Sequence, residues 1–75
     1  MGAAYEALVR RDDVHRIILE EHPEGTYIFV FRNPGSSRPD EDQLQDDVAM
    51  AMRVCEDDYD VPRDLWKEIP NPGLM

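Results

Sequence analysis

The chain has 75 residues, of which 41% are hydrophobic and 33% charged, and its formal net charge at pH 7 is −9. This length allows one domain, and the composition is that of a globular rather than a disordered chain. The negative charge argues against binding to nucleic acid or anionic membranes, and no apolar run approaches the roughly 20 residues that cross a bilayer.

The first residues of the chain have neither the basic nor the apolar region of a secretory signal, so we expect a cytoplasmic protein.

Residues 3–11 fit two local structures. The three alanines of this segment favour a helix, whereas the alternation of Tyr5, Ala7 and Val9 fits a third strand that turns at Asp12 and Asp13. We expect a short helix here, with the strand as the alternative.

A β-hairpin is the strongest local signal in the sequence. Val14–Glu21 and Thr26–Arg32 are rich in β-branched and aromatic residues, and a proline and a glycine lie between them. A type I turn with a bulge at Gly25 pairs His22 with Thr26. The other pairs of this register are Glu21 with Tyr27, Leu19 with Phe29, Ile17 with Phe31, and Ile18 with Val30.

This register assigns the hairpin side chains to two faces, because side chains alternate along a strand. The predicted core face carries Ile17, Leu19, Tyr27, Phe29 and Phe31. The second face has charged ends and an apolar centre formed by Ile18, Ile28 and Val30. Either residues 3–11 cover this centre or it binds a partner or a second copy of the chain.

A turn-rich linker, residues 33–39, leads to an amphipathic helix that we predict from about Asp40 to about Asp58. Asp40 is a suitable N-cap, with Gln43 three residues later as in a capping box. The apolar residues of this segment recur on one side of the helix, and they are Leu44, Val48, Ala51, Met52, Cys55 and Tyr59. We expect this stripe to cover the aromatic residues of the hairpin, which gives a two-layer α+β domain.

After this helix, Asp60 is a candidate cap for a short C-terminal helix that contains Pro62. The apolar residues of this segment should fold back on the core, and they are Leu65, Trp66 and Ile69. Residues 70–75 are predicted to be a flexible tail, so the predicted domain spans residues 1–69.

The negative charge is concentrated in residues 40–75, which carry eleven acidic and three basic residues. The acidic residues at the end of the predicted helix are Glu56, Asp57, Asp58 and Asp60. A helix C-terminus disfavours anions, so this cluster needs an explanation. Either Arg53, Arg63 or Lys67 neutralises it within the chain, or it is an acidic patch for a basic partner.

No spacing of residues indicates catalysis or metal binding. Cys55, the only cysteine, excludes an intramolecular disulfide and falls on the buried stripe, where a thiol is inert. His15 and His22 lie on opposite faces of one strand in the predicted hairpin and cannot act together. The acidic residues after the helix do not follow the EF-hand spacing. We expect no cofactor, no metal and no catalytic activity.

The sequence therefore predicts a small acidic protein-interaction or regulatory module whose partner is a basic protein. The alternative is a homodimer that associates through the second hairpin face. A divalent-metal-binding protein or an enzyme has the least support.

Overall fold

The computed structural model describes residues 2–11 and 13–74, which form an α+β fold. Its elements are β1 (Ala4–Arg11), β2 (Val14–His22), β3 (Gly25–Phe31), β4 (Glu41–Gln45), α1 (Val48–Tyr59), a 3-10 turn (Arg63–Leu65) and β5 (Lys67–Ile69). Within these residues the strands form one antiparallel sheet in the order β4-β3-β2-β1-β5. The α+β class is confirmed, but the sheet has five strands rather than two or three.

β1 occupies the segment for which a short helix was predicted, so that prediction was wrong and the strand alternative is correct. β1 pairs with β2 on one side and with β5 on the other. Ala7 and Val9 are buried on the side that α1 covers, and Ala4 is buried on the opposite side. The helix preference of alanine is below about 1 kcal/mol per residue, so pairing between two strands outweighs it. Asp12, half of the predicted turn, lies outside the described residues.

β2 and β3 pair in a register one residue away from the predicted one. His22 lies opposite Gly25 rather than Thr26, and the turn between them has two residues instead of three. Gly25 has a φ of 147°, and a Cβ there would lie 2.3 Å from the carbonyl oxygen of Gln45. Glycine is therefore required because β4 approaches so closely, and the predicted bulge does not form.

A shift of one residue moves every side chain of a strand to the other face of the sheet. The helix face, which α1 covers, carries Ile17, Leu19, Ile28 and Val30. The opposite face, here called the aromatic face, carries Ile18, Glu20, Tyr27, Phe29 and Phe31. Two predictions were therefore wrong: the helix does not cover the aromatic residues, and Ile18 does not share a face with Ile28 and Val30.

The helix begins later than predicted, because its expected first turns form the edge strand β4 instead. The N-cap is Asp47, whose carboxylate accepts a hydrogen bond from the backbone N–H of Met50 at 2.8 Å. Asp40, the predicted cap, instead accepts the backbone N–H of Arg32 at 2.7 Å. Both aspartates can cap a helix, and pairing of β4 with the open edge of β3 selects the later one.

The predicted apolar stripe is confirmed for most of its residues in α1. Ala51 and Cys55 are fully buried on the helix face, and Met52 and Tyr59 pack against the same cluster. Val48 is half-buried, and Leu44 belongs to β4 and is 47% exposed. α1 has 12 residues, and the described parts of the chain contain no helix that is long and apolar enough to cross a membrane.

The segment after α1 folds back over both sides of the sheet. Trp66 packs against the helix-face core, and Ile69 packs against the cluster on the aromatic face. Leu65 is 39% exposed and does not take the predicted place in the core. Instead of the predicted short helix, this segment forms a single 3-10 turn followed by β5, because its backbone hydrogen bonds are made with β1.

Candidate functional site

The residues predicted to form an acidic patch lie together at the C-terminus of α1. We call this set the acidic end; it consists of Glu56, Asp57, Asp58 and Asp60, all exposed. Asp60 is the C-cap, with a left-handed φ of 56°, and its backbone N–H is directed to the carbonyl oxygen of Cys55. Aspartate tolerates this conformation better than most residues, so the cap explains the presence of this one acidic residue.

Among the described residues, no cation forms an ion pair with the remaining acidic residues of this set. In the described part of the chain, Glu56, Asp57 and Asp58 make no ion pair within 4.0 Å, and the last turn of α1 has no basic residue. The pairing that the sequence allowed between Arg53 and Asp57 is not formed. An anion at a helix C-terminus costs about 0.3–1 kcal/mol, so this end of the helix is unfavourable as it stands.

Cys55 lies beneath the acidic end, and its thiol is unreactive. Burial, together with the nearby Asp58 carboxylate, raises the pKa of the Cys55 thiol to about 12. The thiol therefore stays protonated at neutral pH, whereas a nucleophilic cysteine must ionise. This agrees with the structural role that its position on the apolar stripe indicates.

The second predicted surface, formed by Ile18, Ile28 and Val30, does not exist as one patch. Ile28 and Val30 are buried beneath α1. Ile18 lies on the aromatic face and is 4% exposed. These side chains therefore present no common apolar surface to a partner.

The aromatic face contacts the end of residues 70–74, the segment predicted to be a flexible tail. Tyr27, Ile69 and Leu74 pack against the cluster of Ile18, Phe29 and Phe31, whereas residues 70–73 are exposed. The Arg16 guanidinium also lies over the ring of Phe31, 4.4 Å from its centroid. The predicted flexibility of this segment stays a prediction, but the structure places it on the sheet.

A buried carboxylate lies beside this cluster. Glu20 is fully buried, and its Oε1 lies 3.0 Å from Nε2 of His22. Its Oε2 accepts a hydrogen bond from the backbone N–H of Leu74 at 2.7 Å. A buried carboxylate is tolerated only when such partners satisfy it, so both contacts belong to the fold.

An open cleft of about 670 Å³ lies next to this carboxylate. Its lining residues are Gly2, Glu21, His22, Pro23, Asn71 and Gly73. Among the described residues no hydroxyl or thiol is hydrogen-bonded to His22, so the carboxylate–imidazole pair has no nucleophile to activate. No three His, Cys, Asp or Glu side chains of the described ranges converge as metal ligands.

Sequence reasoning missed Glu20 and Leu74 as members of a site. Glu20 was assigned to a charged end of the second hairpin face, and Leu74 to a tail. One signal was present: an uninterrupted Ile-Ile-Leu run precedes Glu20, and continuous apolar runs are typical of strands buried on both faces. Such a strand buries its next residue even when that residue is charged.

Comparisons with known proteins give no further guidance. No protein-family model, curated protein or solved structure matches this chain.

Proposed function

We propose that this protein is a non-catalytic interaction module that binds a basic protein partner through the acidic end of α1. The observation that carries the proposal is the set of three adjacent, exposed carboxylates at the negative end of the helix dipole, without a cation among the described residues. A basic partner would remove this unfavourable electrostatic energy on binding.

Several other acidic side chains already have partners within the fold. Glu6 lies 3.5 Å from Arg16, and Glu41 pairs with Arg32. Glu24 accepts a hydrogen bond from the Tyr27 hydroxyl at 2.7 Å, which lowers the pKa of Glu24. Those contacts use charge to fix local structure, whereas the helix carboxylates of the acidic end fix none. This contrast supports recognition rather than folding as their role.

The homodimer through Ile18, Ile28 and Val30 is not retained. Each of these side chains is at most 4% exposed. Exposure of all three would require both α1 and the side chains packed on the aromatic face to leave the sheet.

An NMR titration of the ¹⁵N-labelled chain with a ten-residue lysine peptide tests the proposal. We expect the amide shifts of residues 53–60 to change first and most. Glu56→Gln with Asp57→Asn should weaken binding about fivefold, the factor that about 1 kcal/mol produces.

The matched control is Asp64→Asn with Glu68→Gln, which changes the net charge equally at two exposed positions outside α1, in the 3-10 turn and in β5. It should bind like the unmodified chain. If both double variants lose the same affinity, or if shifts change evenly at all acidic residues, the peptide senses only net charge and the proposed site is wrong.

A further inference from the structure

Residues 70–74 contact the aromatic face as a bound peptide contacts its receptor. The Leu74 side chain packs on the cluster of Ile18, Phe29 and Phe31. The Leu74 backbone N–H donates to Oε2 of Glu20 at 2.7 Å. An apolar anchor combined with a main-chain hydrogen bond is a common mode of peptide recognition.

Among the described residues, the segment itself is held by few contacts. Residues 70–73 are exposed and form no strand. Besides the Leu74 contacts, the Asn71 side-chain amide donates to the Gly2 carbonyl oxygen at 3.4 Å, and Oδ1 of Asn71 accepts the Gly73 N–H at 2.8 Å within the segment. Segments with few buried contacts open at low free-energy cost, so this segment can leave while the sheet stays folded.

The surface beneath it is rigidly built by contrast. Phe29 and Phe31 are each 1% exposed, and the rings of Tyr27 and Phe29 stack at 5.9 Å. The carboxylate of Glu20 is held through its other oxygen by His22. When the segment leaves, the buried Glu20 loses one hydrogen-bond donor and the apolar cluster loses the Leu74 side chain, while Ile69 and Arg16 stay in place. Any replacement must supply an N–H donor and an apolar side chain together.

We propose that the aromatic face is a peptide-docking site, that residues 70–74 fill it in cis, and that a partner segment of the same chemistry replaces them in trans. That segment is an extended peptide with a leucine-sized apolar side chain whose own backbone N–H is directed at Glu20. A cleft of about 670 Å³ lies between Asn71 and Gly73 of the segment and the residues Gly2, Glu21, His22 and Pro23. The latter residues stay in place when the segment leaves and can contact the neighbouring residues of such a peptide.

The test uses the full chain with Leu74→Asp, because a carboxylate beside Glu20 repels the segment and opens the site. The matched control is Leu65→Asp, the same change at a leucine that is already exposed. The probe is a peptide of residues 69–74, acetylated and amidated at its ends. Binding is measured from the NMR signals of the Phe29 and Phe31 rings.

We expect the probe to bind the Leu74→Asp chain and to bind the unmodified chain and the Leu65→Asp chain several-fold more weakly. The cis segment competes in both of those at an effective concentration of the order of millimolar. A probe with aspartate in place of its leucine should not bind. Equal binding to all three chains, or no binding to a folded Leu74→Asp chain, would overturn the proposal.

Two further measurements exclude the alternatives. If Leu74→Asp does not fold, Leu74→Ala removes the anchor without adding charge, and the same difference between chains is expected.

Sedimentation of the unmodified chain over a range of concentrations should give a monomer. A dimer that Leu74→Ala abolishes would assign the site to the segment of a second copy instead of a partner.

Discussion

Replacing Glu56 and Asp58 with lysine puts two positive charges at the negative end of the α1 dipole. A charge of the wrong sign there costs about 0.3–1 kcal/mol, and one of the right sign stabilises by a similar amount. Neither carboxylate makes an ion pair with the described residues, so no ion pair among them is lost. With solvent screening, we expect the free energy of unfolding to rise by about 1–2 kcal/mol. For a domain of this size, that is a rise of about 5–10 °C in melting temperature.

Thermal unfolding followed by circular dichroism at low salt measures this rise, and high salt should reduce it. Asp64→Lys with Glu68→Lys is the control, since it changes the net charge equally at positions outside α1. An equal rise in the control would show that lower self-repulsion is the cause. A fall for the Glu56 and Asp58 replacements would show that these carboxylates stabilise the fold, and would remove the observation behind the proposed function.

Three more predictions concern the packing of the sheet and the thiol. Gly25→Ala should destabilise the fold by about 1–3 kcal/mol, because the new Cβ would lie 2.3 Å from a carbonyl oxygen of β4. Gly35→Ala, whose Cβ would have no atom within 4 Å, should leave the stability almost unchanged. Urea unfolding measures both variants, and equal effects would contradict the register of β2, β3 and β4. Ile28→Ala should lower the free energy of unfolding by about 2–5 kcal/mol and Phe29→Ala by about 3–5 kcal/mol, because both side chains are buried, Ile28 on the helix face and Phe29 on the aromatic face. An unchanged stability at either position would show that its face is not part of the core. The pKa of Cys55 is raised to about 12 in the folded chain. The stability that the protonated Cys55 contributes is therefore fully present below the unfolded thiol pKa of about 8.5, and above that pH it falls by up to about 1.4 kcal/mol per pH unit. Cys55→Ala should reduce the loss of stability between pH 8 and pH 10, and an unchanged loss would show that other groups cause it.

The sequence predicted the elements with strong periodicity and failed where one residue decides between two arrangements. The apolar stripe of α1 contains Ala51 and Cys55 at helical spacing, and both are buried as expected. The hairpin strands were also placed correctly. Their register depended on whether Gly25 closes a three-residue turn or ends a two-residue one. Local turn chemistry permits both, and the approach of β4 to Gly25 is a tertiary contact that no local pattern encodes.

The difference between local patterns and tertiary contacts also explains which of the two proposed binding surfaces could be predicted from the sequence. The acidic end was found because Glu56, Asp57 and Asp58 contradict a local rule about helix dipoles, and local rules can be read from a sequence. The docking site on the aromatic face was missed because it joins Glu20 to Leu74, 54 positions apart. Its recognition requires the register and the path of residues 70–74, which depend on the folded sheet.

We claim that α1 packs on one face of the sheet and that Ile69 and Leu74 pack on the other, while the acidic end presents an exposed charged surface to a partner. Nuclear Overhauser effects between side chains measure this most directly. We expect effects from Leu74 methyl protons to the rings of Phe29 and Phe31, and from Ala51 to Ile28. Effects from Ala51 to the phenylalanine rings would contradict the claim, because they would place α1 on the aromatic face.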